Sequence, residues 1–238
     1  MEDKIQQFKQ LVNKCDNIVF FGGAGVSTES GIPDFRSKDG LYNQQYKYPP
    51  ETILSHTFFM NKTEEFFKFY KLKMNSLKYQ PNITHIKLSE LEARGKLKAV
   101  ITQNIDGLHQ KAGSKVVYEL HGSVLRNYCM NCNKFYDAEY VFNSNGIPRC
   151  SCGGIIKPDV VLYEEGLDEE TIENSIYAIQ KADLLIVAGT SLTVQPASSL
   201  INFFRGRNLV LINRDSTPYD NKANLVINDS LGKVFSNL

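Results

Sequence analysis

The chain has 238 residues, of which 42% are hydrophobic and 22% charged, so it can bury the core of one large domain or of one domain with a small satellite. Its formal net charge of +1, with lysines and arginines spread along the chain, argues against a dedicated nucleic-acid binder. No stretch approaches the roughly 18 consecutive apolar residues of a membrane span, and the N-terminus MEDKIQQFKQ has no hydrophobic signal region. We therefore expect a soluble, cytoplasmic protein with reduced cysteines and with no membrane or nucleic-acid partner.

The first half of the chain contains an alternation of helix and strand signals. Apolar residues at helical spacing predict an amphipathic helix over residues 3–15, and NIVFF predicts a buried strand that ends at two glycines. An aromatic-rich helix is predicted in TEEFFKFYKLKMNSL. A second helix is predicted in NITHIKLSELEARG, with Asn82 as its N-cap and Gly95 at its end. KLKAVIT then predicts a strand, QNIDGLHQKAG a short helix, and KVVYEL a third strand.

The last third repeats this alternation. DEETIENSIYAIQKA predicts a helix, DLLIVAG a strand, QPASSLINFFRG a helix with Pro196 near its first turn, and NLVLIN a strand. Short apolar strands that alternate with helices indicate an α/β protein with a doubly wound parallel sheet. Two stretches break the pattern, at about 37–94 and about 124–157, and we interpret them as insertions that form a smaller domain beside the sheet.

Two closely spaced cysteine pairs lie in the second insertion. CMNC holds Cys129 and Cys132, and CSCGG holds Cys150 and Cys152, with 17 residues between the pairs. Each short turn can deliver two sulfurs to one tetrahedral ion, so the spacing predicts a zinc site that is structural, since four cysteines leave no open position. Four unpaired buried thiols or disulfides are the alternative. Cys15, remote from these pairs, is predicted to be a small core residue.

The stretch FFGGAGVSTESGIPDFR begins as a dinucleotide-binding turn does. Gly23 and Gly25 follow a strand and expose backbone N–H groups that suit a pyrophosphate. Thr28 occupies the third glycine position of the usual fingerprint, and Pro33 limits any helix to about one turn. The following loop could then wrap the nicotinamide end of NAD, which suits cleavage of its glycosidic bond better than hydride transfer.

Five motifs carry a family resemblance: GAGVSTESGIPDFR, TQNIDGLHQKAG, ELHG, the four-cysteine module and GTSLTVQP, in this order. With them the chain resembles the sirtuins, NAD-dependent protein-lysine deacylases, over nearly its whole length. The resemblance implies a Rossmann-like NAD-binding domain made of residues 1–36, 95–123 and 158–238. It also implies a cofactor loop with a helical insertion over 37–94 and a zinc-ribbon module over 124–157.

The resemblance also implies a reaction. The carbonyl oxygen of an acetyl-lysine attacks C1′ of the nicotinamide ribose and expels nicotinamide, and a ribose hydroxyl attacks the resulting alkylimidate. Water then completes the release of lysine and O-acetyl-ADP-ribose. The catalytic residues it implies are His121, as the general base that activates a ribose hydroxyl, and Asn104. A base near neutral pKa at the carboxyl edge of a parallel sheet fits this chemistry.

The implied NAD shell spans the loops that follow the strands. Phe35 would cover the ribosyl face that nicotinamide leaves, and Asp106 with Ile105 would hold the nicotinamide amide, a role that could coexist with helix capping by Asp106. The full set of implied cofactor residues is Gly23, Ala24, Gly25, Thr28, Asp34, Phe35, Arg36, Gln103, Asn104, Ile105, Asp106, His121, Gly189, Thr190, Ser191, Asn213, Arg214, Ser230 and Leu231.

The acylated peptide is expected to lie between the two domains and to pair with the main chain of KPDVVLYEEGL, at Val160, Val161, Leu162 and Tyr163. Glu164 stands where many relatives have glycine and could favour basic peptides. Phe67 and Tyr70 stand where succinyl-removing relatives have a tyrosine and an arginine, so acetyl or a longer uncharged acyl chain is predicted. A protein mono-ADP-ribosyltransferase and a zinc-ribbon binding module without turnover are the alternative functions.

Overall fold

The computed structural model describes residues 2–34 and 46–238. The helices are α1 (Glu2–Lys14), α2 (Pro50–Ile53), α3 (His56–Asn61), α4 (Thr63–Lys73), α5 (Ile83–Ala93), α6 (Leu108–Lys111), α7 (Ala138–Asn143), α8 (Glu169–Lys181) and α9 (Leu231–Phe235). The strands are β1 (Ile18–Gly22), β2 (Leu97–Thr102), β3 (Val117–Glu119), β4 (Gly122–Cys129), β5 (Phe135–Asp137), β6 (Ile156–Val160), β7 (Leu184–Ala188), β8 (Asn208–Ile212) and β9 (Leu225–Ile227). None of the helices within the described ranges is long and apolar enough to cross a membrane.

Six strands form a parallel sheet in the order β3-β2-β1-β7-β8-β9. The strand order reverses between β1 and β7, whose residues are all buried, as expected for strands covered by helices on both faces. At their carboxyl ends Gly22 of β1 lies between Thr102 of β2 and Ala188 of β7. A crevice opens at such a reversal, and ligands of open α/β sheets bind there. The predicted α/β class and its doubly wound parallel sheet are confirmed.

Two apolar cores cover the two faces of this sheet, because side chains alternate along each strand. Phe20 belongs to one core, with Phe8 of α1 and Leu88 of α5. Phe21 belongs to the other core, with Ile179 of α8. The predicted helices that supply these side chains are present, and α5 begins at the predicted N-cap. Asn82 accepts a hydrogen bond from the Thr84 N–H, and a capping box with His85 closes this helix end.

A smaller antiparallel sheet, in the order β5-β4-β6, contains the cysteine-bearing stretch. A third apolar core lies against it and combines Phe66 and Tyr70 of α4 with Val141 of α7 and Ile156 of β6. The two interruptions of the sequence pattern therefore share one core. The strands escaped prediction since β5 has only three residues and the register of β4 against β6 shifts between Ser123 and Asn127.

Two short segments differ from regular helix. After β1 the chain forms two single-turn 3-10 helices, Ala24–Val26 and Thr28–Ser30, and Gly31 closes the second with a φ of +93°. The prediction that Pro33 leaves about one helical turn is thus confirmed. The predicted helix in QPASSLINFFRG is also present, as a 3-10 helix over Ala197–Phe203. The aromatic helix α4 ends at Lys73, four residues earlier than the sequence pattern predicted.

Candidate active site

A cavity of about 840 Å³ lies at the carboxyl edge of the parallel sheet and extends toward the smaller sheet. The loops that follow β1, β2, β3, β7 and β8 each contribute to its wall, which is the position expected for a ligand in this architecture. Side chains of α4 and the segment after β6 also line it. The cavity therefore joins the edge of the large sheet to the smaller unit.

The glycine turn and the loop after β7 approach each other closely at the strand-order reversal. The Gly25 N–H donates to the Gly189 carbonyl at 2.8 Å. A Cβ on Gly25 would lie 2.8 Å from Gly189 Cα, and Gly189 itself has a φ of +62°. Only glycines allow this contact without displacing backbone. The Gly23 N–H likewise donates to the Ala188 carbonyl at 3.3 Å. The expectation that these two N–H groups are exposed to a pyrophosphate is therefore wrong: both are bonded to the end of β7 and the loop after it, and the glycines allow the two loops to approach each other.

His121 lies two residues after the end of β3 and lines the cavity. The distance between its Nδ1 and the Gln103 carbonyl oxygen is 2.9 Å. Because a carbonyl can only accept, Nδ1 carries the proton and Nε2 keeps its lone pair. Burial lowers the pKa of His121, against the opposing effect of the Gln103 hydrogen bond, so the imidazole is neutral at pH 7. A neutral imidazole whose Nε2 carries a lone pair is equipped to act as a base.

The residue after His121 lies at a close contact between the start of β4 and the end of β6. Gly122 has a φ of +74°, and a Cβ there would collide with the Asp159 carbonyl oxygen. Glycine therefore permits β4 to start against β6 immediately after the histidine. The Val161 N–H donates to the His121 carbonyl at 3.0 Å, which ties the histidine backbone to the segment that follows β6.

The loop after β2 holds a buried carboxyl group with fixed hydrogen bonds. Asp106 accepts from the Ser27 hydroxyl at 2.7 Å and from the Leu108 N–H at 2.9 Å. The Asn104 amide nitrogen donates to the same Ser27 hydroxyl at 3.1 Å. Burial raises the pKa of Asp106, although both hydrogen bonds oppose this effect. The N-cap residue of α6 is Gly107, without a side-chain cap, so the predicted capping position of Asp106 is wrong by one residue. Asp106 still accepts from the first helical N–H and belongs to the cavity wall.

A second hydrogen-bond chain crosses the reversal of the sheet. The Gln103 side-chain amide donates to the Thr190 hydroxyl at 3.1 Å, and the Thr190 N–H donates to the Asn213 side-chain oxygen at 2.9 Å. The amide nitrogen of Asn213 is buried and has no hydrogen-bond partner among the described residues. An unpaired buried donor at a ligand cavity is costly, so this atom fits a polar cofactor that supplies an acceptor.

The segment after β6 lines the cavity with its backbone partly engaged elsewhere. The Tyr163 N–H donates to the Leu54 carbonyl, and the Tyr163 carbonyl accepts from the His56 N–H, both at 2.9 Å. Glu164 has a φ of +77°, a region that favours glycine. Its carboxylate accepts from the Thr57 N–H at 2.9 Å, near the start of α3. The conformation gives a physical reason why glycine suits this position.

The four cysteines lie together, with all four sulfurs within 4.8 Å of one another. Their hydrogen-bond-range contacts are 3.4 Å for Cys129 with Cys152, 3.6 Å for Cys132 with Cys150, and 3.5 Å for Cys152 with Cys132. A tetrahedral ion with Zn–S bonds of about 2.3 Å requires sulfurs about 3.8 Å apart. All four cysteines are free thiols. The cluster therefore fits one structural zinc ion.

Most residues of the predicted site meet in this cavity. Those in its wall are Gly23, Ala24, Gly25, Thr28, Asp34, Gln103, Asn104, Ile105, Asp106, His121, Val160, Val161, Leu162, Tyr163, Gly189, Thr190, Ser191, Asn213, Arg214 and Leu231. Ser230 is not part of the wall; it directly precedes α9 as its N-cap residue. Phe35 and Arg36 lie outside the described residues.

Sequence reasoning missed several polar residues of the wall, among them Ser27, Glu29, Ser76, Ser216 and Asp229. Ser27 and Glu29 belong to the quoted GAGVSTESG motif, where their hydroxyl and carboxyl groups were the available signal. Ser216 and Asp229 follow the ends of β8 and β9, so the carboxyl-edge rule could have found them. Ser76 belongs to the helical insertion, and no pattern in the sequence indicates that this insertion lies against the edge of the sheet.

Comparisons with known proteins agree with this architecture. The family model described as Sir2 family matches residues 23–196. An NAD-dependent protein deacetylase of Clostridium acetobutylicum is 61% identical over 98% of this chain and 96% of its own length. One of Staphylococcus aureus is 44% identical over 100% of this chain and 99% of its own length.

Solved structures agree as well. A structure described as Sir2 with p53 peptide and NAD+ has a TM-score of 0.87 and 39% identity, covering 98% of this chain and 96% of that one. A Sir2 variant structure with deacetylated p53 peptide and 3′-O-acetyl ADP ribose has a TM-score of 0.90 and 38% identity over the same shares. The chain belongs to the Sir2 family.

Proposed function

We propose that this protein is an NAD-dependent protein-lysine deacetylase that releases nicotinamide, deacetylated lysine and O-acetyl-ADP-ribose. The observation that carries the proposal is the neutral, carbonyl-anchored imidazole of His121 in the same cavity as the glycine turn. The relatives named NAD-dependent protein deacetylases cover nearly the whole chain and support the same activity.

NAD, when bound, supplies a ribosyl centre whose bond to nicotinamide is broken and a ribose hydroxyl that accepts the acyl group. We propose that Nε2 of His121 takes the proton of that hydroxyl, while Nδ1–H stays bonded to the Gln103 carbonyl. Asn104 and Asp106, both linked to the Ser27 hydroxyl, would orient the ribose and the nicotinamide amide. For the other residues of the predicted NAD shell, including Phe35, Arg36 and Ser230, contact with NAD remains a prediction from the sequence.

The substrate in this proposal is an acylated lysine of a peptide or protein, paired with the backbone of 160–163. Tyr70 is fully buried, lines the cavity, and its hydroxyl has no hydrogen-bond partner in the described part of the chain. A carboxylate-bearing acyl group beside this phenol would lose its hydration, at a cost of several kcal/mol. Lys73, which also lines the cavity, has its Nζ over the Tyr46 ring, 5.4 Å from the ring centroid. Acetyl or a longer uncharged acyl group is therefore the proposed class.

We also propose the division of the chain into a sheet domain (1–36, 95–123, 158–238), an insertion (37–94) and a zinc-ribbon module (124–157). The separate cores support it, although the third core includes Val160 and Leu162, beyond the boundary at 157. A cytoplasmic location is part of the proposal, supported by four adjacent free thiols that need a reducing compartment to remain metal ligands.

The test is a panel of acetyl-, butyryl- and succinyl-lysine peptides incubated with NAD labelled in its adenylate. We expect nicotinamide release with acetyl and butyryl peptides, weak release with succinyl peptides, and label on a small acylated product. Label transferred to protein would instead identify an ADP-ribosyltransferase. No nicotinamide release with any peptide would leave a binding module and contradict the proposal.

His121→Ala is the matched variant, because it removes the imidazole and leaves the glycine turn and the cysteine cluster untouched. We expect it to lose turnover by at least about 100-fold, the usual contribution of a general base, with unchanged zinc content and unchanged thermal stability within a few degrees. Retained turnover would show that the base is another residue.

A further inference from the structure

The antiparallel ladder between β4 and β6 is interrupted beside the proposed peptide segment. Gly122 pairs with Val160 and Ser123 with Asp159, but the next pair along is Asn127 with Pro158. Residues 124–126 of β4 therefore have no partner on β6. A bulge of this kind frees side chains and backbone groups for other contacts and is common next to active sites.

Two of the bulged residues, Val124 and Arg126, make three hydrogen bonds outside the ladder with β6. The Val124 N–H donates to the Ile105 carbonyl at 2.9 Å, which ties the bulge to the loop after β2. Arg126 donates through Nη1 to the Glu119 carboxylate at 2.6 Å and through Nε to the Asp159 carboxylate at 2.7 Å. One guanidinium thus bridges two elements that share no backbone ladder at this point.

The two carboxylates that Arg126 bridges lie next to the two parts of the proposed site, one near His121 and one at the start of the peptide-binding segment. Glu119 ends β3, two residues before His121, and its side chain is only 7% exposed. Asp159 directly precedes Val160, where the proposed peptide segment starts. The planar guanidinium presents donors in fixed directions, so two simultaneous contacts fix the distance between the two strands. Without it a nearly buried carboxylate would stay unpaired beside a second one.

We propose that Arg126 is a positioning residue, which holds the peptide-binding segment in register with His121 by bridging Glu119 and Asp159. It acts through these neighbours, since none of the three lines the cavity. Its loss should displace the acyl-lysine relative to the imidazole while leaving the glycine turn in place. The kinetic test of this inference rests on the proposed deacetylase function. A second test, by hydrogen exchange, does not depend on that function.

The kinetic experiment compares Arg126→Met, Arg126→Lys and the charge-free triple variant Glu119→Gln/Arg126→Met/Asp159→Asn. Arg126→Met should lower kcat/KM for an acetyl-lysine peptide by about 10- to 100-fold, the cost of a misplacement of about 1 Å, with KM for NAD within about twofold. The kcat/KM of Arg126→Lys should lie between those of the wild type and Arg126→Met, because an ammonium group keeps the charge but lacks the fixed planar arrangement of donors of a guanidinium. The triple variant should recover thermal stability but not kcat/KM for the peptide.

Lys68→Ala is the control, since it removes an exposed ion pair with Glu64 on α4, 2.8 Å long, away from the cavity. It should change none of these constants. The positioning role is wrong if Arg126→Met lowers only thermal stability, if it raises KM for NAD and peptide equally, or if the triple variant restores kcat/KM for the peptide.

Hydrogen exchange at the Val161 amide provides the readout that needs no turnover. This N–H is bonded to the His121 carbonyl at 3.0 Å and reports the contact between the two segments directly. Arg126→Met should accelerate its exchange about tenfold, while Lys68→Ala should not. Unchanged exchange overturns the inference even if the enzyme is active. A wild-type protein without turnover but with accelerated exchange in Arg126→Met would contradict only the proposed function.

Discussion

Replacement of Gly25 by alanine tests the close approach on which the cofactor turn depends. The added Cβ would lie 2.8 Å from Gly189 Cα and 2.9 Å from the Gly189 carbonyl oxygen. Carbon atoms in favourable contact are about 3.5–4.0 Å apart, so the new methyl group is about 1 Å too close. Both neighbours are backbone atoms, and a Cβ added to Gly189 would in turn lie 2.5 Å from the backbone nitrogen of Val26. Neither loop can yield without moving the end of β1 or of β7.

Overpacking of this kind costs about 1–3 kcal/mol. We expect urea denaturation of Gly25→Ala to give a free energy of unfolding lower by that amount. Calorimetric titration should show an affinity for NAD that is reduced about tenfold or more. The displaced turn is part of the proposed NAD site, and a loss of about 1.4 kcal/mol of binding free energy corresponds to a factor of ten. Gly166→Ala is the control, since an added Cβ there meets nothing within 4 Å, and its stability should change by less than about 1 kcal/mol. If the two variants were equally stable and bound NAD equally well, the steric reasoning would be refuted.

Three further outcomes are expected. The kcat/KM for acetyl-lysine peptides should decrease as the pH falls, with an apparent pKa below the ordinary histidine value of about 6.5. The reason is that burial lowers the pKa of His121 and that only the neutral imidazole acts as base. A decrease with an apparent pKa above 7 would contradict this. Burial lowers the pKa of His85 to about 4, so the unfolded chain binds an extra proton between about pH 6.5 and 4, and stability should be lost as pH falls through that window by up to about 3 kcal/mol. His85→Gln, which can still accept from Asn82, should show a flatter pH dependence of unfolding by urea. Cys129→Ser should lose bound zinc by metal analysis and become less soluble, and a folded, fully zinc-loaded variant would show that the ligand set is wrong.

Sequence patterns were most informative where local chemistry decides the structure. Asn82 caps α5 as predicted, since its side chain accepts the Thr84 N–H two residues further along the chain. The continuous apolar runs of β1 and β7 predicted buried parallel strands for the same local reason. The spacing of Cys129, Cys132, Cys150 and Cys152 similarly predicted a cluster, because short turns fix where their sulfurs can lie.

The sequence by itself thus determined the order of the strands β1, β2, β3, β7 and β8 and of the main helices between them, the glycine turn without a long helix, the cysteine cluster, and the histidine near the edge of the sheet. Only the tertiary structure decided which nitrogen of His121 is free, that Ser27 joins Asn104 to Asp106, and that Arg126 spans a gap in the ladder between β4 and β6. The physical reason is distance along the chain. Ser27 and Asp106 are 79 residues apart, and Arg126 and Asp159 are 33 apart. Contacts over such separations depend on how strands pack in space, which neither local propensity nor periodicity encodes.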